Sequence, residues 1–109
     1  AADHHRQALV LGRALYGPDS PTVASERCLL GQTLAKLGRL DEALGELHAA
    51  LDAHELHYGP EHPCVAQDLN NLGDALQELG QLAQAERHYT AAAERLRARV
   101  VELWNSLRA

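Results

Sequence analysis

Residues Leu15–Ala24 read LYGPDSPTVA, and residues His57–Ala66 read HYGPEHPCVA. Tyr-Gly-Pro, a later Pro and Val-Ala recur in the same places, 42 residues apart. Sliding the chain by that distance lays Tyr16–His57 over Tyr58–Arg99 with fifteen identities, among them Leu30/Leu72, Gly31/Gly73, Leu34/Leu76, Gly38/Gly80 and Ala43/Ala85. The same shift places Ala8 under Ala50 and Ala92, so residues 1–15 read as the tail half of an earlier copy. A fixed period in this size range marks a stacked architecture.

Within each copy the period is helical. Val65, Leu69, Leu72, Leu76 and Leu79 step by four, three, four and three, which is one apolar stripe. Leu82, Ala85, Tyr89, Ala92, Leu96 and Val100 do the same. Between the stripes, Gly80 (and Gly38 in the first copy) permits the left-handed turn that reverses the chain. Gly59-Pro60 stops a helix, and Pro63 suits the first turn of the next, where its missing N–H is harmless. Ser20-Pro21 is the same device with Ser as N-cap. The repeated phrase is therefore punctuation between helical hairpins. Gly31 and Gly73 lie inside helices, where Gly costs about 1 kcal/mol. Close packing of the partner helix at those points must return that cost.

These patterns predict an all-α chain of about five antiparallel helices, at 2–15, 20–37, 40–57, 62–79 and 82–107. The chain reads as one domain, 1–109. Residues 1–15 are the second helix of a truncated repeat, 16–57 and 58–99 are repeats, and 100–109 extend the final helix. With no Met in the sequence, the chain is expected to be processed or cut from something longer. The last helix lacks the Tyr-Gly-Pro stop, so the array is expected to end there.

The bulk numbers bound the function. The 109 residues carry a net charge of −5 and no run of Lys or Arg, which argues against nucleic acid. Arg95, Arg97 and Arg99 are spaced two apart and cannot share one helix face. No apolar run approaches a membrane span, and no signal-peptide pattern opens the chain. Cys28 and Cys64 form neither a disulfide framework nor a zinc spacing, so reduced thiols in a cytoplasmic protein are expected.

The run Leu69-x-x-Leu72-Gly73-x-x-Leu76, followed by Ala85-x-x-x-Tyr89, resembles the tetratricopeptide repeat. Arg27-x-x-Leu30-Gly31-x-x-Leu34 with Ala43-x-x-x-Leu47 is similar, more loosely. The 42-residue spacing resembles the long-period kinesin-light-chain type. Arg27 departs from the pattern, standing where Leu69 supplies an apolar residue; it is expected to snorkel or to face a missing neighbour. The resemblance implies a right-handed α-solenoid whose concave face, lined by the first helix of each hairpin, binds a protein or peptide. It also implies no catalysis.

On that face the candidates are Ser25, Cys28, Gln32, Ala35 and Lys36 from the first copy, and Gln67, Asn70, Asp74, Gln77 and Glu78 from the second. Asn and Gln can pair with peptide backbone groups. Lys36 is the sole base among them, against Asp74 and Glu78, so a neutral or basic segment is expected as partner. Asn71, beside the apolar stripe, is read as a structural hydrogen bond between repeats.

Other chemistry is sparse. HELH at His54–His57 spaces its imidazoles three apart, where a helical zinc motif needs four. A weak site from His54 and His57 with Glu61 or His62 is the only metal reading, and the expectation is no metal and no cofactor. No nucleophile elbow, phosphate loop or paired-carboxylate constellation is present. Val100, Leu103, Trp104 and Leu107 form an apolar strip on the final helix. It is read either as a cap over the last hairpin or as a self-association surface. A homo-oligomer through exposed end faces is the alternative to a peptide groove.

Overall fold

The computed structural model describes residues 2–17 and 20–108. Among these residues five helices follow in order: α1 (Ala2–Tyr16), α2 (Pro21–Lys36), α3 (Leu40–Tyr58), α4 (Pro63–Glu78) and α5 (Leu82–Arg108). Among the described residues there is no strand. Each expected helix is present, with ends shifted by no more than one residue. Pro18 and Asp19 of the first punctuation phrase lie outside the described residues.

The punctuation acts as its chemistry dictates. Gly38 and Gly80 take φ of 81°, and Gly59 takes 86°. After Gly38, the Arg39 N–H reaches back to the Leu34 carbonyl at 2.9 Å, and Gln81 N–H does the same to Leu76 after Gly80. These bonds satisfy carbonyls that the helix end would otherwise leave unpaired. At the helix starts, Val23 N–H donates to Ser20 Oγ at 3.2 Å, and Cys64 N–H donates to His62 Nδ1 at 3.1 Å. Pro21 and Pro63 follow the caps directly. One position thus serves as N-cap with a hydroxyl in one repeat and an imidazole in the other.

Helices pack on their chain neighbours, α1 on α2, α2 on α3, α3 on α4 and α4 on α5; beyond these, α2 also meets α4. The radius of gyration is 14.9 Å, above the roughly 13 Å of a compact chain this long, and the shortest extent is 17 Å. The described residues form a thin stack whose buried side chains fall into separate clusters. Burial is accordingly local. Leu9, Val23, Leu30, Leu34 and Ala43 fill the amino-terminal half. Leu47, Leu72 and Ala75, with Leu44 and Leu51 against them, join α3 to α4. Each fully buried Leu contributes about 1.5–3 kcal/mol.

The helical glycines mark the crossings inside each hairpin. A Cβ on Gly73 would lie 2.6 Å from Tyr89 Cε1, and one on Gly31 would lie 2.7 Å from Leu47 Cγ. The second helix of each hairpin lays a large side chain, Leu47 or Tyr89, over the backbone of the first. This contact returns the helix-propensity cost of the glycine.

Arg27 neither snorkels nor faces a missing neighbour. Its Nη1 donates to Glu46 Oε2 at 3.0 Å, across the α2–α3 hairpin. Repeat translation turns this ion pair into Leu69 and His88, which accounts for the break in the stripe.

The outward side of α5 differs from that of α3. Leu44 and Leu51, which α3 offers to α4, become Glu86 and Ala93 under the 42-residue shift, and both are exposed. No helix among the described residues is long and apolar enough to cross a membrane.

Candidate functional site

A concave cleft of roughly 630 Å³ opens where α2 and α4 converge. Its lining is Gln32, Ala35, Lys36, Leu47, Asn71, Asp74, Ala75, Gln77 and Glu78. Leu47, Ala35 and Ala75 make a small apolar floor, and amides and charges make the rim. Spacing explains the set: on α4, residues 71, 74, 75 and 78 share one face, and on α2 so do 32, 35 and 36.

Of the residues expected on this face, the cleft gathers Gln32, Ala35, Lys36, Asp74, Gln77 and Glu78. Ser25, Cys28, Gln67 and Asn70 lie outside it. Ser25 and Gln67 are exposed one to two turns nearer the helix starts. Cys28 requires a correction. It is half-buried against the Leu47, Leu72 and Ala75 cluster, and Asn71 Nδ2 donates to its sulfur at 3.1 Å. Burial pushes its thiol up to about 11, and the neighbouring Asp68 carboxylate adds to the effect. A thiol so held is not a nucleophile near neutral pH.

Asn71 bridges the two repeats through that bond and accepts a second from Gln67 Nε2 at 3.3 Å. It also contributes to the cleft wall. Asn71 thus ties α2 to α4 at the line where they converge.

The sequence reading missed the part played by Tyr89. From α5 its ring passes over Gly73, and its O–H is shared between Asp74 Oδ1 at 2.6 Å and Gln77 Oε1 at 3.0 Å. The Asp74 carboxylate stabilises the protonated phenol and pushes its ionisation up to about 12. Two rim acceptors are thereby held at fixed positions before any ligand arrives. The signal was present in the repeat: Leu47 becomes Tyr89, a change that keeps the ring-sized contact with glycine and adds a polar tip.

A second polar feature lies behind the cleft. His54 and Asp68 are 3% and 1% exposed, and His54 Nδ1 donates to Asp68 Oδ2 across the α3–α4 seam. His54 Nε2 and Asp68 Oδ1 have no protein partner. Asp68 corresponds to Glu26, which His5 of α1 approaches at 3.5 Å. Both seams between hairpins therefore carry an imidazole beside a carboxylate. This pairing removes His54 from the HELH metal reading. His57 is exposed, and no group of three metal-binding side chains stands together among the described residues.

The strip at Val100, Leu103, Trp104 and Leu107 is helical and does not fold back over a hairpin. These side chains are 65%, 49%, 59% and 83% exposed.

No curated protein matches the chain. A family model for the tetratricopeptide repeat matches residues 22–98, which spans α2 through most of α5. Hairpins of matched design, stacked only on their neighbours and glycine-pinned at each crossing, agree with that match, and the chain belongs to the tetratricopeptide repeat family.

Proposed function

We propose that the cleft between α2 and α4 binds an extended or helical protein segment of neutral or basic character. Proteins of this family mediate protein–protein interaction, and no step of that work is catalytic. The supporting observation is the rim: Asp74 and Gln77 are fixed by the Tyr89 hydroxyl, with Glu78 beside them and Lys36 as the sole base in the lining. Acceptors held in place lose little entropy on binding. Acidic segments, including the terminal carboxylates and acidic tryptophan motifs that other repeats of this kind take, find one cation there and two carboxylates. The 42-residue period supports placing the chain with the long-period, kinesin-light-chain-like repeats, since the common period is 34. The two free thiols support a cytoplasmic setting.

A peptide library displayed on phage tests this reading. Selected peptides should be neutral or net positive. Asp74→Ala and Gln77→Ala should each weaken capture by about tenfold or more, while Asn70→Ala, outside the cleft, should not. Enrichment of acidic peptides, or equal loss with Asn70→Ala, would sink it.

A second reading, self-association through the end faces and the carboxyl-terminal helix, is favoured by one observation: the exposed strip that ends α5.

A further inference from the structure

The second helices of the two hairpins, α3 and α5, run parallel and meet through side chains, without close approach of their backbones. Their pairings share one register. Arg95 Nη2 stands 3.9 Å from Glu55 Oε1. One turn back, Leu51 and Ala91 both pack on the cluster of Val65, Ala66, Leu69 and Ala92. A further turn back, the imidazoles of His48 and His88 meet edge-on, with ring centres 6.3 Å apart and planes at 72°. Each pair is offset by 40 residues, and the levels step by three and then four on both helices. A single seam therefore holds all three. The repeat itself does not call for the imidazoles: the 42-residue shift sets His48 over Thr90 and Glu46 over His88. Glu46 pairs with Arg27, whereas Leu69, in the place of Arg27, offers His88 no polar partner.

His88 is arranged as a ligand. Its Nδ1–H donates to the Gln84 carbonyl at 2.8 Å. A carbonyl oxygen only accepts, so the proton sits on Nδ1 and the neutral ring keeps its lone pair on Nε2. A backbone bond of this kind is the support that metal-bound histidines usually have. His48 is exposed, so its ring can turn about χ1. Two imidazoles on one tetrahedral ion have ring centres about 5 Å apart, given metal–nitrogen bonds of about 2.0–2.1 Å. Rotation of His48 closes the 6.3 Å of the resting pair to that separation. We infer that His48 and His88 together bind one divalent cation of the imidazole-preferring class (zinc, nickel or copper) between α3 and α5. Water completes the coordination, since no third metal-binding side chain stands with the pair among the described residues. Two protein ligands make a site of modest affinity, whose occupancy follows the free metal concentration. The ion ties the hairpins at a third level of the seam, next to Leu47 on the cleft floor.

Calorimetric titration of the whole chain with zinc chloride tests this. His48→Gln and His88→Gln should each weaken zinc binding by about tenfold or more. His57→Gln, exposed on α3 and away from the seam, should leave it unchanged. Zinc should also raise the urea midpoint of the wild-type chain, because the ion binds the folded pair, and EDTA should reverse the rise. Neither seam variant should show that rise. Circular dichroism without metal will show that each variant keeps its helices. No uptake of zinc below about 1 mM would overturn the site. Uptake that either seam variant leaves unchanged would overturn it too. A zinc-dependent doubling of mass in sedimentation equilibrium would give the imidazoles to a contact between copies, and so would also overturn it.

Discussion

Tyr89 and Leu47 hold the same place in the two repeats, but only the tyrosine has an oxygen to offer. That oxygen links the hairpin crossing at Gly73 to the rim of the cleft at Asp74 and Gln77. Ionisation of Tyr89 should be delayed to about 12 in the folded chain, against about 10 for a free phenol. The sign follows from linkage: a raised folded value means that the contact stabilises fully below about pH 10 and is lost as pH rises through about 12. The ultraviolet difference titration between the wild-type chain and Tyr89→Phe isolates this group from Tyr16 and Tyr58. In Asp74→Asn the same difference curve should move back towards 10. An unmoved curve would mean that the carboxylate does not hold the hydroxyl. Composition and spacing made Tyr89 legible as a stripe residue. They did not reveal its reach across α4, because a helical repeat fixes a face and not the length or tip of what stands on it.

Helix limits were the most legible feature at the level of elements, for a local reason. Gly and Pro act within one or two residues of where they stand, so the sequence around Gly38, Gly59, Pro63 and Gly80 states its own turns. The His54–Asp68 pair was not legible. HELH invites comparison among side chains of one helix, whereas the partner of His54 comes from α4, brought there by stacking. Polar groups this deeply buried make a sensitive seam. Removing one member leaves the other buried and unpaired, at a cost of about 1–3 kcal/mol. Asp68→Ala should therefore lower the stability of the stack by about that amount in urea unfolding. The double change His54→Leu with Asp68→Leu should recover much of it, since two apolar groups leave nothing unpaired. If Asp68→Ala cost under about 1 kcal/mol, the pair would be a bystander.

The described residues form a slab 17 Å thick whose helices lean on their chain neighbours, with α2 also meeting α4. In such a stack each repeat adds its own stability and that of one shared seam. The concave side was legible as a class of residues but not in extent. Helical spacing put Ser25, Cys28, Gln67 and Asn70 with the others, yet the walls meet only along the later turns of α2 and α4. Where two helices converge depends on the angle between hairpins, and no periodicity along one helix encodes it. Arg27 teaches the same lesson from the other side: it departed from the stripe because Glu46, on another helix, was waiting.

The outer flank of α5 has a consequence for how readily one copy adheres to another. Glu86 and Ala93 replace Leu44 and Leu51, so the last described hairpin offers water a wettable surface where its predecessor offers grease. Writing the leucines back, as Glu86→Leu with Ala93→Leu, should give the chain an adhesive flank, visible in light scattering at micromolar concentration as species larger than the unmodified chain forms. Two letters would then separate a wettable flank from an adhesive one.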